Sequence, residues 1–140
     1  MSEPIRLTLA EAEALATRAL ENAGASAPMA RSTARALVAA EADGQAGHGL
    51  SRVPPYALHV RCRKVIGDAV PRVEQVAAAA LRVDAGLGLA YPAIDAALDR
   101  LVPLARETGV AAAALHRSHH FGQAGAHAER LAEAGLVALV

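Results

Sequence analysis

The sequence predicts an α/β protein: a helical N-terminal subdomain over residues 1–70, then the start of a mixed α/β domain over residues 71–140. Three observations carry this. Apolar residues recur at helical spacing between helix-start and helix-stop signals over residues 8–43. Further on, short runs of Ala, Val and Leu alternate with helical patterns, a strand–helix–strand rhythm. Finally, Leu115–Glu129 packs four of the six histidines into the join between an apolar run and a helical pattern, which is where an open α/β sheet faces its ligand crevice.

Thr8-Leu9-Ala10-Glu11 has the form of a capping box, in which hydroxyl and carboxylate satisfy the free amides of a helix start. Ala12, Leu15, Ala16, Ala19, Leu20 and Ala23 form the buried stripe of that helix, and Gly24 stops it. Ser26 caps a second helix with Pro28 in its first turn, a stripe of Ala30, Ala34, Leu37, Val38 and Glu41 or Ala42, and a stop at Asp43-Gly44. Gly44 to Tyr56 is a glycine-broken loop, within which a helix could begin near Leu50, and Tyr56 to Arg63 reads as helical. Arg61, Arg63 and Lys64 then place cations at its C-terminus. Val65 to Val76 has no clear period and reads as a connection. Ala78 to Val83 is a strand, followed by a loop with a lone G-x-G that lacks the third glycine of a dinucleotide fingerprint. Pro92 opens a helix that Pro103 interrupts and Gly109 ends. Val110 to Leu115 is a strand, Gln123 to Ala134 a helix stopped by Gly135, and Leu136 to Val140 the opening of another strand. That last run carries no polar tail, so the chain reads as truncated, a piece of a longer protein.

Composition removes several function classes. Fourteen basic and fourteen acidic residues balance, and two Tyr, one Phe and no Trp leave few stacking platforms, which argues against a nucleic-acid partner. The single cysteine, Cys62, excludes an intrachain disulfide framework. The N-terminus has no signal-peptide pattern, and no uncharged stretch is suited to span a membrane, so the expected location is the cytoplasm.

Two segments hold the candidate chemistry. In the first, His48, Arg52 and Tyr56 are spaced four apart and could line one helix face, where an imidazole, a guanidinium and a phenol would suit a small carboxylate. The simpler account is a surface cation and a loop histidine. In the second, Ser118, His119, His120, Gly122 and His127 admit three readings. His116, His119 and His120 have H-x-x-H-H spacing, but neighbours at a strand end point to opposite faces and no cysteine or carboxylate completes a ligand set, so no metal site is assigned. The histidines could instead be structural. Or one could be a general acid, since imidazole is matched to proton transfer near neutral pH.

G-H-G-L-S-R-V-P-P-Y at 47–56 and S-H-H-F-G-Q-A-G at 118–125, joined by V-D-A-G-L-G-L-A-Y-P, closely resemble the malate/L-lactate dehydrogenase-like family. That family includes sulfolactate and ureidoglycolate dehydrogenases and the Δ1-piperideine-2-carboxylate and Δ1-pyrroline-2-carboxylate reductases. The resemblance implies a fold other than the Rossmann type and a homodimer. It also implies an NAD- or NADP-dependent oxidoreductase that interconverts a small 2-hydroxy acid and its 2-oxo acid, with cyclic-imine reduction as the alternative. It implies that His120 is the catalytic acid/base, that His48, Arg52 and Tyr56 bind substrate, and that Ser118 and Gly122 approach the cofactor.

Two departures bear on those expectations. Gly47 stands where the family commonly has Ser, so a hydroxyl contact to substrate is absent and no substrate is carried over from the Ser-bearing members. Family members also continue well past residue 140, and most cofactor-binding residues lie in that portion. As a complete polypeptide the chain is expected to have no useful dehydrogenase activity.

Overall fold

The computed structural model describes residues 5–140. The first four residues, part of the segment read above for a signal peptide, lie outside the described residues. Five α-helices and a three-stranded sheet follow in the order α1 (Leu9–Asn22), α2 (Ala27–Ala42), α3 (Val53–Arg61), β1 (Arg72–Ala77), β2 (Ala80–Asp84), α4 (Ala90–Thr108), β3 (Ala112–His116) and α5 (Ala124–Glu133). A 3-10 turn, Leu50–Arg52, leads into α3.

The predicted capping box is present. The Glu11 amide donates to Thr8 Oγ1 at 3.2 Å and the Thr8 amide to the Glu11 carboxylate at 2.8 Å. Hydrogen bonds from the Thr8 amide and from the Thr8 hydroxyl, each 2.8 Å, hold the Glu11 carboxyl below its ordinary pKa. Ala12, Ala16 and Leu20 are buried as expected, but Leu15 is 52% exposed. The stripe on α1 is narrower than its apolar residues suggest because α1 packs on α2 and α3 along one side. On α2, Ala30, Ala34, Leu37 and Val38 are buried, Glu41 is half-buried and Ala42 is exposed. Ser26 occupies the cap position of α2 without a side-chain bond. Pro54 and Pro55 lie in the first turn of α3, where amide protons are not needed by the helix.

The segment read as a connection contains a strand. β1 pairs antiparallel with β2, Val73 opposite Val83 and Ala77 opposite Ala80, as a hairpin. β1 is exposed at five of its six residues, so it lacks the alternation that marks a half-buried strand. β2 and β3 are parallel, with Leu81 opposite Ala113 and Asp84 opposite His116, and α4 makes the crossover. The sheet, in order β1-β2-β3, is therefore mixed. Pro103 sits inside α4, and Gly109 closes that helix in the left-handed region at φ 78°.

Leu136 to Val140 forms no strand. Among the described residues no ladder partner reaches it, and Val137 and Leu139 are fully exposed. An apolar run becomes a strand only where a neighbour exchanges backbone hydrogen bonds with it.

The largest apolar cluster joins both halves of the chain: Leu20, Met29, Leu37, Tyr56 and Val60 pack with Leu89, Tyr91, Ile94, Leu98 and Leu131. Asp95 of α4 reinforces this joint. It accepts from Ser32 Oγ at 2.6 Å and from Arg35 and Arg130 at 2.8 Å, tying α2 and α5 to α4.

Candidate functional site

Because β2 and β3 run parallel, the loops that leave them emerge at the same sheet edge, and they bond to each other there. The Leu87 amide donates to the Arg117 carbonyl at 2.7 Å, and the His119 amide to the Gly88 carbonyl at 3.1 Å. Arg117 lies in the left-handed region, φ 50°, which ends strand geometry one residue after β3. The Arg117–Gln123 loop therefore does not follow strand alternation. His119 and His120, expected on opposite faces, both bring their rings to Tyr56, with centroids at 5.0 and 6.5 Å.

The loop after α2 meets this edge. Glu41 accepts from the Leu50 amide at 2.7 Å, and its side chain and backbone lie where a Cβ on Gly49 would be. Arg52 Nε donates to the Gly47 carbonyl. Gln123 Nε2 donates to Asp43 at 2.6 Å and anchors the histidine loop to the end of α2.

The two expected motifs converge as a result. Tyr56 Oη lies 2.9 Å from His120 Nδ1, and the ring of His48 is near parallel to that of His120 at 6.0 Å. Gly122 is packed between His48 and Tyr91. A Cβ there would stand 3.2 Å from His48 Cβ and 3.2 Å from Tyr91 Oη, while the Gly122 amide donates to that same Oη at 3.1 Å. Ser118 is exposed and donates to the His119 carbonyl at 2.9 Å. His116 is exposed at the end of β3, and His127 is buried on α5 against Phe121.

Electrostatics sets the protonation states. Burial lowers the His120 pKa, and the Arg52 cation and His48 lower it further, so the imidazole is neutral at pH 7. Burial also lowers His119, with His59 and His120 adding to the effect. Tyr56 and Tyr91 are both raised by burial and keep their phenolic protons. Arg52 opposes that rise at both phenols.

Two members of the cluster were not singled out in the sequence. Tyr91, in the first turn of α4, accepts from the Gly122 amide and is buried in one cluster with Tyr56. His59 Nδ1 bonds His119 Nε2 at 3.0 Å. The three-residue step from Tyr56 to His59 along α3 was the available signal, since it puts both on one face.

This arrangement can hold a small anionic group between Arg52 and His48 and exchange a proton with it through His120. A family model described as malate/L-lactate dehydrogenase matches residues 7–140. The chain is 55% identical over 133 residues to a (2R)-3-sulfolactate dehydrogenase (NADP(+)) of Chromohalobacter salexigens, covering 95% of this chain and 40% of that protein. It is 40% identical over 138 residues to a Δ1-pyrroline-2-carboxylate/Δ1-piperideine-2-carboxylate reductase of Pseudomonas putida, covering 99% of this chain and 40% of that protein. The crystal structure of Δ1-piperideine-2-carboxylate reductase from Pseudomonas syringae pv. tomato superposes with a TM-score of 0.90 at 37% identity, over 94% of this chain and 40% of that one. This chain thus spans about 40% of the length of each of these relatives. With the family model matched over nearly all of its residues, the chain belongs to the malate/L-lactate dehydrogenase family.

Proposed function

We propose that these residues form the substrate side of a nicotinamide-dependent oxidoreductase that interconverts a small 2-hydroxy acid and its 2-oxo acid. The sulfolactate or malate type fits best. The observation that carries this reading is the placement of His120, fixed by Tyr56 at 2.9 Å and stacked on His48 within the field of Arg52. Arg52 binds the substrate carboxylate and His48 orients it. Tyr56, expected to touch substrate, is buried and engaged with His120, so its contribution is to hold that ring. In the oxidation direction neutral His120 takes the hydroxyl proton, and in reduction it returns a proton to the oxygen.

NAD or NADP supplies or accepts the hydride when bound. The donor set here fits substrate better than cofactor. Exposed Ser118 can turn toward a cofactor, whereas the open face of Gly122 is already filled by His48 and Tyr91. The reading includes residues 1–70 as a substrate-side helical subdomain, residues 71–140 as the start of the cofactor-side domain, and a homodimer in the cytoplasm. Among the described residues no helix is long and apolar enough to cross a membrane.

Cyclic-imine reduction is the second reading. Nothing lies within 4 Å of a Cβ placed on Gly47, and that open space beside His48 suits a ring substrate. The deciding experiment titrates the purified chain with NADH and NADPH by cofactor fluorescence, then adds 3-sulfopyruvate, oxaloacetate, pyruvate and Δ1-pyrroline-2-carboxylate. Saturable binding followed by oxidation with an oxo acid, abolished by His120→Gln, supports this reading, whereas a folded chain that binds neither cofactor needs the part of its relatives that it does not span. Turnover of the imine alone selects the second reading, and turnover that survives His120→Gln removes the assignment of His120.

A further inference from the structure

We propose that His59 is a positioning residue for His120, which it holds through His119 and Tyr56. His120 stays exposed, so packing alone does not set its ring. Among the described residues its side chain bonds only Tyr56 Oη, 2.9 Å from Nδ1. The aim of that bond depends on how the Tyr56 ring stands against the loop, and His119 sets this from the loop side. Its ring meets that of Tyr56 at 90°, with centroids 5.0 Å apart. His119 is held in turn by His59, whose Nδ1 lies 3.0 Å from His119 Nε2 with the two rings inclined at 67°. Tyr56 and His59 stand three residues apart on α3 and grip two consecutive loop residues, His120 and His119.

The loop needs this second grip because it has left the sheet at Arg117. The bond from the His119 amide to the Gly88 carbonyl fixes the backbone there but leaves the side chain free to turn. His119 Nδ1 is buried with no partner among the described residues, so the bond to His59 is the one that satisfies its ring. Two neutral imidazoles suit such a bond, since one donates while the other accepts. Without His59 both ring nitrogens of His119 would be unpaired, and the ring would turn toward water and away from Tyr56. The consequence for proton exchange at His120 rests on the proposed oxidoreductase reading, but the grip itself does not, because it is a property of the resting chain.

The test is NMR on chain labelled with ¹⁵N at histidine, recorded above pH 7 where His119 and His120 are neutral. In the unsubstituted chain, a scalar coupling between His59 Nδ1 and His119 Nε2 across their hydrogen bond is expected, with nuclear Overhauser contacts between the Tyr56 and His120 rings. His59→Phe keeps a ring and removes the nitrogen. It is expected to leave the amide signals of β2 and α4 in place while the contacts between the Tyr56 and His120 rings are lost. Asparagine carries a polar atom as far along the side chain as Nδ1 and can donate or accept there, so His59→Asn is expected to restore those contacts. An unsubstituted chain without the coupling overturns the proposal. So does a folded His59→Phe variant that keeps the ring contacts, or a His59→Asn variant that loses them. The first readout needs no variant to fold, and none needs turnover, so this outcome and that of the cofactor titration are independent.

Discussion

Tyr56 Oη and His120 Nδ1, 64 residues apart in the chain, lie 2.9 Å from each other across the joint between α3 and the loop after β3. That contact turns two separate sequence motifs into one site. It also explains why the site depends on the parallel pairing of β2 and β3, since that pairing brings the histidine loop beside the loop that leads into α4, whose first turn carries Tyr91.

Replacing Arg52 by Gln is expected to raise the pKa of His120. Burial is the main cause of its lowered value and remains, but the Arg52 cation, which disfavours the imidazolium, is removed. The same substitution moves Tyr56 further up, because Arg52 favours its phenolate. Chemical-shift titration of the His120 ring measures the first effect, and a His120 pKa that stays put or falls would contradict the placement of Arg52 beside it.

The second prediction concerns acid stability. His119, His120 and His127 all have lowered pKa values, each mainly through burial. The unfolded chain therefore takes up protons first, and stability rises with pH through this window. Their contribution is complete above the ordinary imidazole pKa of about 6.5 and is lost as pH falls through the lowered folded values. His127 is the cleanest probe, at 7% exposure with no partner among the described residues for either ring nitrogen. His127→Leu keeps an apolar side chain of similar bulk and removes two unsatisfied polar atoms. We expect it to be stabilising by about 1 kcal/mol at pH 7 and to flatten the decline below pH 6.5, as read by urea melts across pH.

Much of the helical part was legible because its signals are local. Thr8 and Glu11 are three residues apart, and the stripes on α1 and α2 lie within single helices. β1 was illegible for the opposite reason: it is held by its partner across the hairpin, and its exposed side chains carry no period. Leu136 to Val140 failed in the other direction, since its composition suits a strand but pairing depends on a neighbour. At the site, His48, Arg52, Tyr56 and His120 could be named from motif and chemistry. Tyr91 could not, because its place depends on a contact, Tyr91 Oη to the Gly122 amide, that spacing does not encode; for His59 the three-residue step from Tyr56 marks a shared helix face but not the bond to His119.

The third prediction separates the two glycines that flank His48. Gly47 has a φ outside the left-handed region and nothing within 4 Å of a Cβ, so Gly47→Ser meets neither strain nor contact and its stability change stays within about 0.5 kcal/mol. Gly49 lies against Glu41, whose Cα and Cβ stand 2.9 Å from an added Cβ and whose carboxylate is nearer still. Gly49→Ala must push the 3-10 turn off the end of α2 and break the 2.7 Å bond from the Leu50 amide to Glu41, costing about 1–3 kcal/mol. The two variants differ again in function. A serine at 47 places a hydroxyl beside His48 and is expected to change which 2-oxo acid is preferred, since a site that hydrogen-bonds its substrate discriminates against analogues lacking the partner group. Displacing residue 49 instead moves His48 from its stack on His120 and is expected to lower turnover of every substrate alike. Equal destabilisation of the two variants in denaturant melts would show that Glu41 does not fasten this loop.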